Sequence, residues 1–289
     1  MTNIAFLGLG AMGSRMAQTL LNQNEQLQVY NRNPEKCEAF KDQAVSIANS
    51  PMSAVQDADL IFSMVRDDQA SQSIWLDKEN GAIHGLKTGA IVIECSTLSI
   101  PWITELGKIM QNKGVEFLDA PVSGSLPQAQ SGELIFLVGG HSASLQKATP
   151  ILNKLSSAIH YMGDSGSGMR MKLAVNAWFG IQVLAMAEII GATSKAGLAV
   201  DDVVETLNAL PVTSPALKGT AQQIKNQQFT PMFPIELVSK DFDYACNLAK
   251  ISNAKAPLTE LAQDIYQQAK NQGFAKENIS AVARLFPHS

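Results

Sequence analysis

The chain has 289 residues, of which 46% are hydrophobic and 17% charged, with a net charge of −4. That composition excludes a disordered chain and allows two domains or one large one. No clustered Lys/Arg block stands out, which excludes the usual electrostatic face of a nucleic-acid binder.

Short apolar runs read as strands over residues 3–7, 27–31, 60–64, 90–94, 115–119, 134–138 and 158–161. Helical patterns over 12–21, 34–40, 101–112 and 144–155 alternate with them. Such alternation predicts a parallel sheet with helices on both faces. After Gly168 the pattern changes to helical periodicity and turn signals. Residues 173–192 form a long apolar stretch interrupted by Asn176, Gln182 and Glu188. Ionisable groups are costly in lipid, so a buried helix of a soluble protein is expected rather than a membrane span. Further helices are expected over 200–209, 214–223, 235–252 and 257–272. The first of these carries Asp201 and Asp202 in its opening turn, where a helix favours negative charge. The domain boundary is expected in the glycine-rich segment 163–168, dividing the chain into 1–163 and 164–289.

Three cysteines, Cys37, Cys95 and Cys246, form no CxxC and no disulfide framework, which suits a reducing cytosol. The histidines His84, His141, His160 and His288 fall in no metal-ligand spacing, and no metal is expected. The first residues enter a strand without the charged segment of a secretory signal, so a cytoplasmic location is expected.

The first motif is Gly8-Leu9-Gly10-Ala11-Met12-Gly13, set between a strand-like run and an amphipathic helix. In that setting Gly8 permits a tight turn, Gly10 lets the backbone approach a pyrophosphate, and Gly13 allows close helix–strand contact. N–H groups at the helix amino end face the anion. This predicts a Rossmann-type dinucleotide-binding domain. About 20 residues on, an NAD site usually carries an acidic residue for the ribose 2′-hydroxyl. Here the second strand ends in Tyr30-Asn31-Arg32. Neutral Asn31 does not repel a 2′-phosphate and Arg32 can hold one, so NADP(H) is expected, with NAD(H) as the alternative. The loops Met64-Val65-Arg66-Asp67 and Ser96-Thr97 follow strand candidates, where ligands of open α/β sheets gather. Met64, Val65 and Thr97 are therefore expected at the cofactor.

A second set of motifs lies further on: Asp119-Ala120-Pro121-Val122-Ser123-Gly124-Ser125, the run from Gly166 through Asn176, and Lys240-Asp241. With the glycine motif, and in this order, they resemble the β-hydroxyacid dehydrogenases over essentially the whole chain. Ser125, Met171-Lys172-Leu173 with Val175-Asn176, and Phe233-Pro234 most resemble the glyoxylate/succinic semialdehyde reductase branch. Trp178-Phe179 is bulkier than that branch's pattern, and Leu126-Pro127-Gln128 departs after Ser125; both bear on which substrate fits.

The resemblance implies an N-terminal Rossmann domain, a long interdomain helix and an all-α C-terminal domain. It implies that Lys172 is the catalytic proton carrier. Carbonyl reduction by hydride leaves an alkoxide, and an ammonium offers both a proton and a charge. In oxidation the lysine must be neutral, and burial favours that form. Asn176, one turn on, can orient Lys172 or bond the substrate. Ser123, Gly124 and Ser125 are expected to bind the substrate's carboxylate through N–H groups and hydroxyls. Lys240 is implied beside nicotinamide and substrate, although it could simply pair with Asp241 and Asp243. Phe233 is implied to pack on the cofactor. The expected reaction interconverts a small aldehyde acid and its hydroxy acid. A 3-hydroxyisobutyrate or tartronate semialdehyde type of dehydrogenase is the nearest alternative. An imine reductase usually lacks a lysine at this position. A 6-phosphogluconate dehydrogenase would carry His-Asn where this chain has Val175-Asn176. A non-catalytic NADP-binding protein would have no use for Lys172, Asn176 and Ser123. A homodimer or homotetramer is expected, with no nucleic-acid or membrane partner.

Overall fold

A continuous apolar run, Ile4–Leu7, forms β1 and is buried along its whole length, as a strand covered on both faces must be. The computed structural model describes residues 2–287; His288 lies outside them. The other strands are β2 (Leu27–Tyr30), β3 (Val45–Ile47), β4 (Leu60–Ser63), β5 (Ile91–Glu94), β6 (Glu116–Asp119), β7 (Val122–Ser123), β8 (Leu134–Gly140) and β9 (Ser156–Gly163). They form one sheet in the order β3-β2-β1-β4-β5-β6-β8-β7, with β9 paired to β8. The helices of this half are α1 (Ala11–Asn22), α2 (Pro51–Val55), α3 (Asp68–Leu76), α4 (Ile100–Asn112), α5 (Leu126–Ser131) and α6 (Ser142–Leu152). Phe6 and Phe62 stack at 5.6 Å in the core beside Met16, Leu20 and Leu118. Full burial of such a side chain is worth about 1.5–3 kcal/mol.

The sheet is parallel from β3 through β6 but not throughout. β8 runs antiparallel to both β6 and β7. A parallel return needs a crossover of a dozen or more residues, whereas the six-residue α5 and left-handed Gly132 turn the chain straight back. β9 then restores parallel pairing through α6. The segment expected as a helix at 34–40 is a 3-10 turn, Pro34–Phe40, capped by Asn33 accepting from the Glu35 N–H at 3.1 Å.

The chain folds as two compact units, the first ending at Lys172 and the second beginning at Leu173. Helix α7 (Ser167–Lys195) starts in the first. It is long and apolar enough to span a membrane by length and composition, with 44% of its most apolar window buried. In the second unit follow α8 (Val200–Ala209), α9 (Pro215–Lys225), α10 (Ile235–Ile251) and α11 (Pro257–Ala269). α11 stops short of the expected 272 because the following turn is π-type and Gly273 sits at φ +94°. A final 3-10 turn spans Ile279–Leu285. The core of this unit includes Val183, Ile190, Phe242 and Tyr266. The Tyr266 hydroxyl is satisfied by donating to the Gly180 carbonyl at 2.9 Å, as a buried phenol requires.

Candidate active site

The glycine turn between β1 and α1 is built as close packing demands. Gly8 sits at φ +99°, and a Cβ there would fall 2.3 Å from the Met64 carbonyl oxygen. A Cβ on Gly13 would fall 2.0 Å from the Gly8 oxygen, so the helix lies directly against the turn. A Cβ on Gly10, by contrast, would meet nothing within 4 Å. No side chain caps the first N–H groups of α1. Open space in front of unpaired helix amino-end donors suits a phosphate-bearing ligand. Gly10 and Ala11 are exposed, while Leu9 is buried and Met12 half-buried against the core. The Leu9 side chain thus faces the core and not the open space before the turn.

Asn31 has a structural task. Its Oδ1 accepts the Leu9 N–H at 2.9 Å and its Nδ2 donates to the Asn33 carbonyl at 2.9 Å. An aspartate could accept the first bond but not donate the second. Arg32 is exposed next to Tyr30; burial raises the Tyr30 phenol's pKa and the Arg32 charge opposes that.

The loops after β4 and β5 meet beside this turn. The Val65 N–H donates to Ser96 Oγ at 2.8 Å, and the Ser96 N–H donates to Glu94 Oε1 at 3.1 Å. Glu94 is fully buried and also accepts from Trp75 Nε1 at 3.1 Å and Ser71 Oγ at 3.4 Å. Burial raises its pKa, against which the hydrogen bonds from Ser96 and Trp75 work. Met64, Val65, Ser96 and half-buried Thr97 therefore line the same end of the sheet as Gly8.

At the end of β6, Asp119 clamps the start of α7. Its Oδ1 accepts the Gly166 N–H at 2.6 Å and its Oδ2 the Met169 N–H at 2.8 Å. Burial raises its carboxyl to about 6, partly offset by those two bonds and the nearby Arg170 charge. Gly168 lets this turn lie on the sheet: a Cβ there would be 2.2 Å from the Leu137 oxygen and 2.7 Å from the Asp119 oxygen. The Leu98 N–H meets Met169 Sδ at 3.3 Å, linking the loop after β5 to the same turn. Lys172 follows, only 9% exposed. Past Asp119, β7 delivers half-buried Ser123 and exposed Gly124. Ser125 differs from expectation: its N–H is taken by Gln128 Oε1 at 2.9 Å as α5 begins, so that donor is not free for a carboxylate.

Within the second unit, Asn176 Nδ2 donates to Asp241 Oδ2 at 2.6 Å. Lys240 Nζ lies 3.0 Å from Asp241 Oδ1 and over the Tyr244 ring at 5.0 Å. The pairing with Asp241 is thus realised. The Phe233 N–H donates to Asn278 Oδ1 at 3.0 Å, and its half-buried side chain packs on the core of this unit. Sequence reasoning missed Asp119, Glu94 and the Asn176–Asp241 bond. Glu94 carried one available signal, an acidic residue closing an otherwise apolar strand.

Two family models match in tandem. The NAD-binding domain of 6-phosphogluconate dehydrogenase matches residues 3–163, and the NAD-binding domain of NADP-dependent 3-hydroxyisobutyrate dehydrogenase matches residues 166–286. The chain belongs to the β-hydroxyacid dehydrogenase family. It is an NAD(P)-dependent dehydrogenase that binds NADP(H) or NAD(H). It is 32% identical to glyoxylate/succinic semialdehyde reductase 2, chloroplastic, of Arabidopsis thaliana, over 97% of this chain and 78% of that protein. It is 32% identical to 3-sulfolactaldehyde reductase of Escherichia coli, over 98% of this chain and 95% of that protein. The solved 3-hydroxyisobutyrate dehydrogenase of Mycobacterium tuberculosis with L-serine aligns at TM-score 0.89 and 27% identity, covering 99% of each chain.

Proposed function

We propose that this dehydrogenase is an NADPH-preferring reductase of small aldehydes that carry an acid group, such as glyoxylate or succinic semialdehyde. The observation that carries the reading is Lys172, a buried lysine one turn beyond a helix start tied both to the end of β6 and to the loop after β5. The glycine turn would hold the pyrophosphate through the backbone of Gly8 to Gly13, and the segments around Met64, Val65 and Thr97 would close over the dinucleotide. When bound, the dinucleotide supplies the hydride for the carbonyl carbon.

Lys172 donates a proton to the carbonyl oxygen as negative charge develops there. In the reverse direction the neutral amine removes the hydroxyl proton. The balance is aldehyde acid plus NADPH plus a proton giving hydroxy acid plus NADP⁺. Asn176, whose amide N–H is held by Asp241, is assigned to orient the lysine or bond the substrate on the family resemblance. The Ser123 hydroxyl and the backbone at Gly124 bind the acid group. Ser125 contributes its hydroxyl rather than its N–H. Lys240 and Phe233 are assigned to substrate and cofactor on the family resemblance. The charge of Arg32 supports the preference for a 2′-phosphate. We take the cofactor-binding and substrate portions to divide at 163/164, supported by the family models, of which the first ends at 163 and the second begins at 166. Buried free cysteines and the core-facing side chains of α7 support a soluble cytoplasmic protein.

The acid group is common to the substrates named for the two reductases above, which supports the class rather than one member. A 3-hydroxyisobutyrate or tartronate semialdehyde type of reaction uses the same groups in the same roles. A panel of small aldehyde acids and hydroxy acids, each assayed with both cofactors, tests the reading. Oxidation of NADPH by glyoxylate or succinic semialdehyde, faster than that of NADH, is expected. Tight NADPH binding without turnover on any aldehyde would point instead to a binding protein, and turnover on cyclic imines alone to an imine reductase.

A further inference from the structure

We propose that Asp119 is a positioning residue for proton transfer, holding the first turn of α7 so that Lys172 stays in register with the acid-binding loop at Ser123. This rests on the reading of Lys172 as proton carrier.

Asp119 ends β6, and four residues later the same chain presents Ser123. Its two carboxylate oxygens accept two different N–H groups of the α7 start, those of Gly166 and Met169. Lys172 lies three residues beyond Met169, less than one helical turn. One side chain therefore ties the end of β6, four residues before Ser123, to the turn that carries Lys172. A carboxylate is suited to this because it accepts at both oxygens, and the helix amino end favours its charge. Asparagine would offer one acceptor and turn its NH₂ against the second N–H. Burying this carboxyl is unfavourable and raises its pKa despite two bonds and the Arg170 charge. A serine cap would satisfy a helix end without that penalty. The close fit of Gly168 to the Leu137 and Asp119 oxygens leaves the turn little freedom except through this clamp.

The test is Asp119→Asn in the full chain, assayed for aldehyde reduction with NADPH and with 4-deuterated NADPH. Misplacement of a catalytic group by about 1 Å costs on the order of 10²-fold, so a fall in kcat of about 10- to 100-fold is expected. NADPH affinity should stay within about twofold, because the glycine turn is untouched. The primary isotope effect on kcat should rise, since the chemical step becomes limiting. A merely structural role would lower the active fraction and leave the isotope effect of the remaining enzyme unchanged. Wild-type kcat, or a lower kcat with an unchanged isotope effect, would overturn the proposal. Should Asp119→Asn not fold, Asp119→Glu keeps the charge and shifts it by one methylene, with the same readouts and the same expected and contrary results. Lys172→Ala run alongside separates the two ideas. If it is inactive while Asp119→Asn is normal, only the positioning role fails. If Lys172→Ala itself turns over normally, the reading of the lysine fails first.

Discussion

Arg32 and Asn31 divide a task that the sequence suggested they shared. The Asn31 amide is spent on the turn, accepting from Leu9 and donating to Asn33, so in the proposed reading discrimination for a 2′-phosphate would fall to the exposed guanidinium of Arg32. A charge-assisted contact is worth roughly 1.5–3 kcal/mol, so Arg32→Ala should weaken NADPH binding about tenfold or more and leave NADH nearly unaffected. Equal NADPH affinity in fluorescence titration would remove Arg32 from the site. Asp119 gives a second test at this scale. Its folded-state pKa is raised from 3.8 to about 6. As pH rises from the lower value to the higher, the unfolded chain releases this proton first, and the folded state loses stability. Above that interval the loss is complete, on the order of 2–3 kcal/mol. Urea denaturation of wild type relative to Asp119→Asn should show the difference declining between those two pH values; a flat difference would contradict it.

Among the elements, strands and long helices were legible because their signals are local. β1 is a continuous apolar run, β4 and β5 are apolar up to their last residue, and α4 and α10 carry clear helical periodicity. What escaped depends on partners distant in sequence. β3 is three residues long and largely exposed, and the alternation of Val45-Ser46-Ile47 is too short to mark a strand. β7 exists because β8 returns beside it, which no residue of Val122–Ser123 announces. The candidate site divides the same way. The glycine turn and Lys172 are written in short motifs, whereas Glu94 gains its task only when Trp75, Ser71 and Ser96 converge on it. That convergence ties α3 to the loops after β4 and β5. Glu94→Ala would leave the Trp75 and Ser96 donors unpaired, each costing about 1–3 kcal/mol. The variant should show a clearly lower denaturation midpoint and a raised KM for the cofactor; wild-type values of both would mean that the network is not what holds those loops.

For the whole molecule, the second unit shows large apolar side chains to solvent: Trp178 is 67% exposed, Leu258 65% and Leu261 57%. Exposed side chains of this size on α7 and α11 favour self-association, and light scattering should give twice or four times the 31.0 kDa chain mass. A monomer at micromolar concentration would contradict that. Chemistry is the larger question, and it turns on one amine. The rate of NADPH-dependent aldehyde reduction by Lys172→Ala, measured beside its NADPH affinity, decides it. A fall in turnover of about 10²–10⁴-fold with cofactor binding retained is predicted; near-normal turnover would contradict the account.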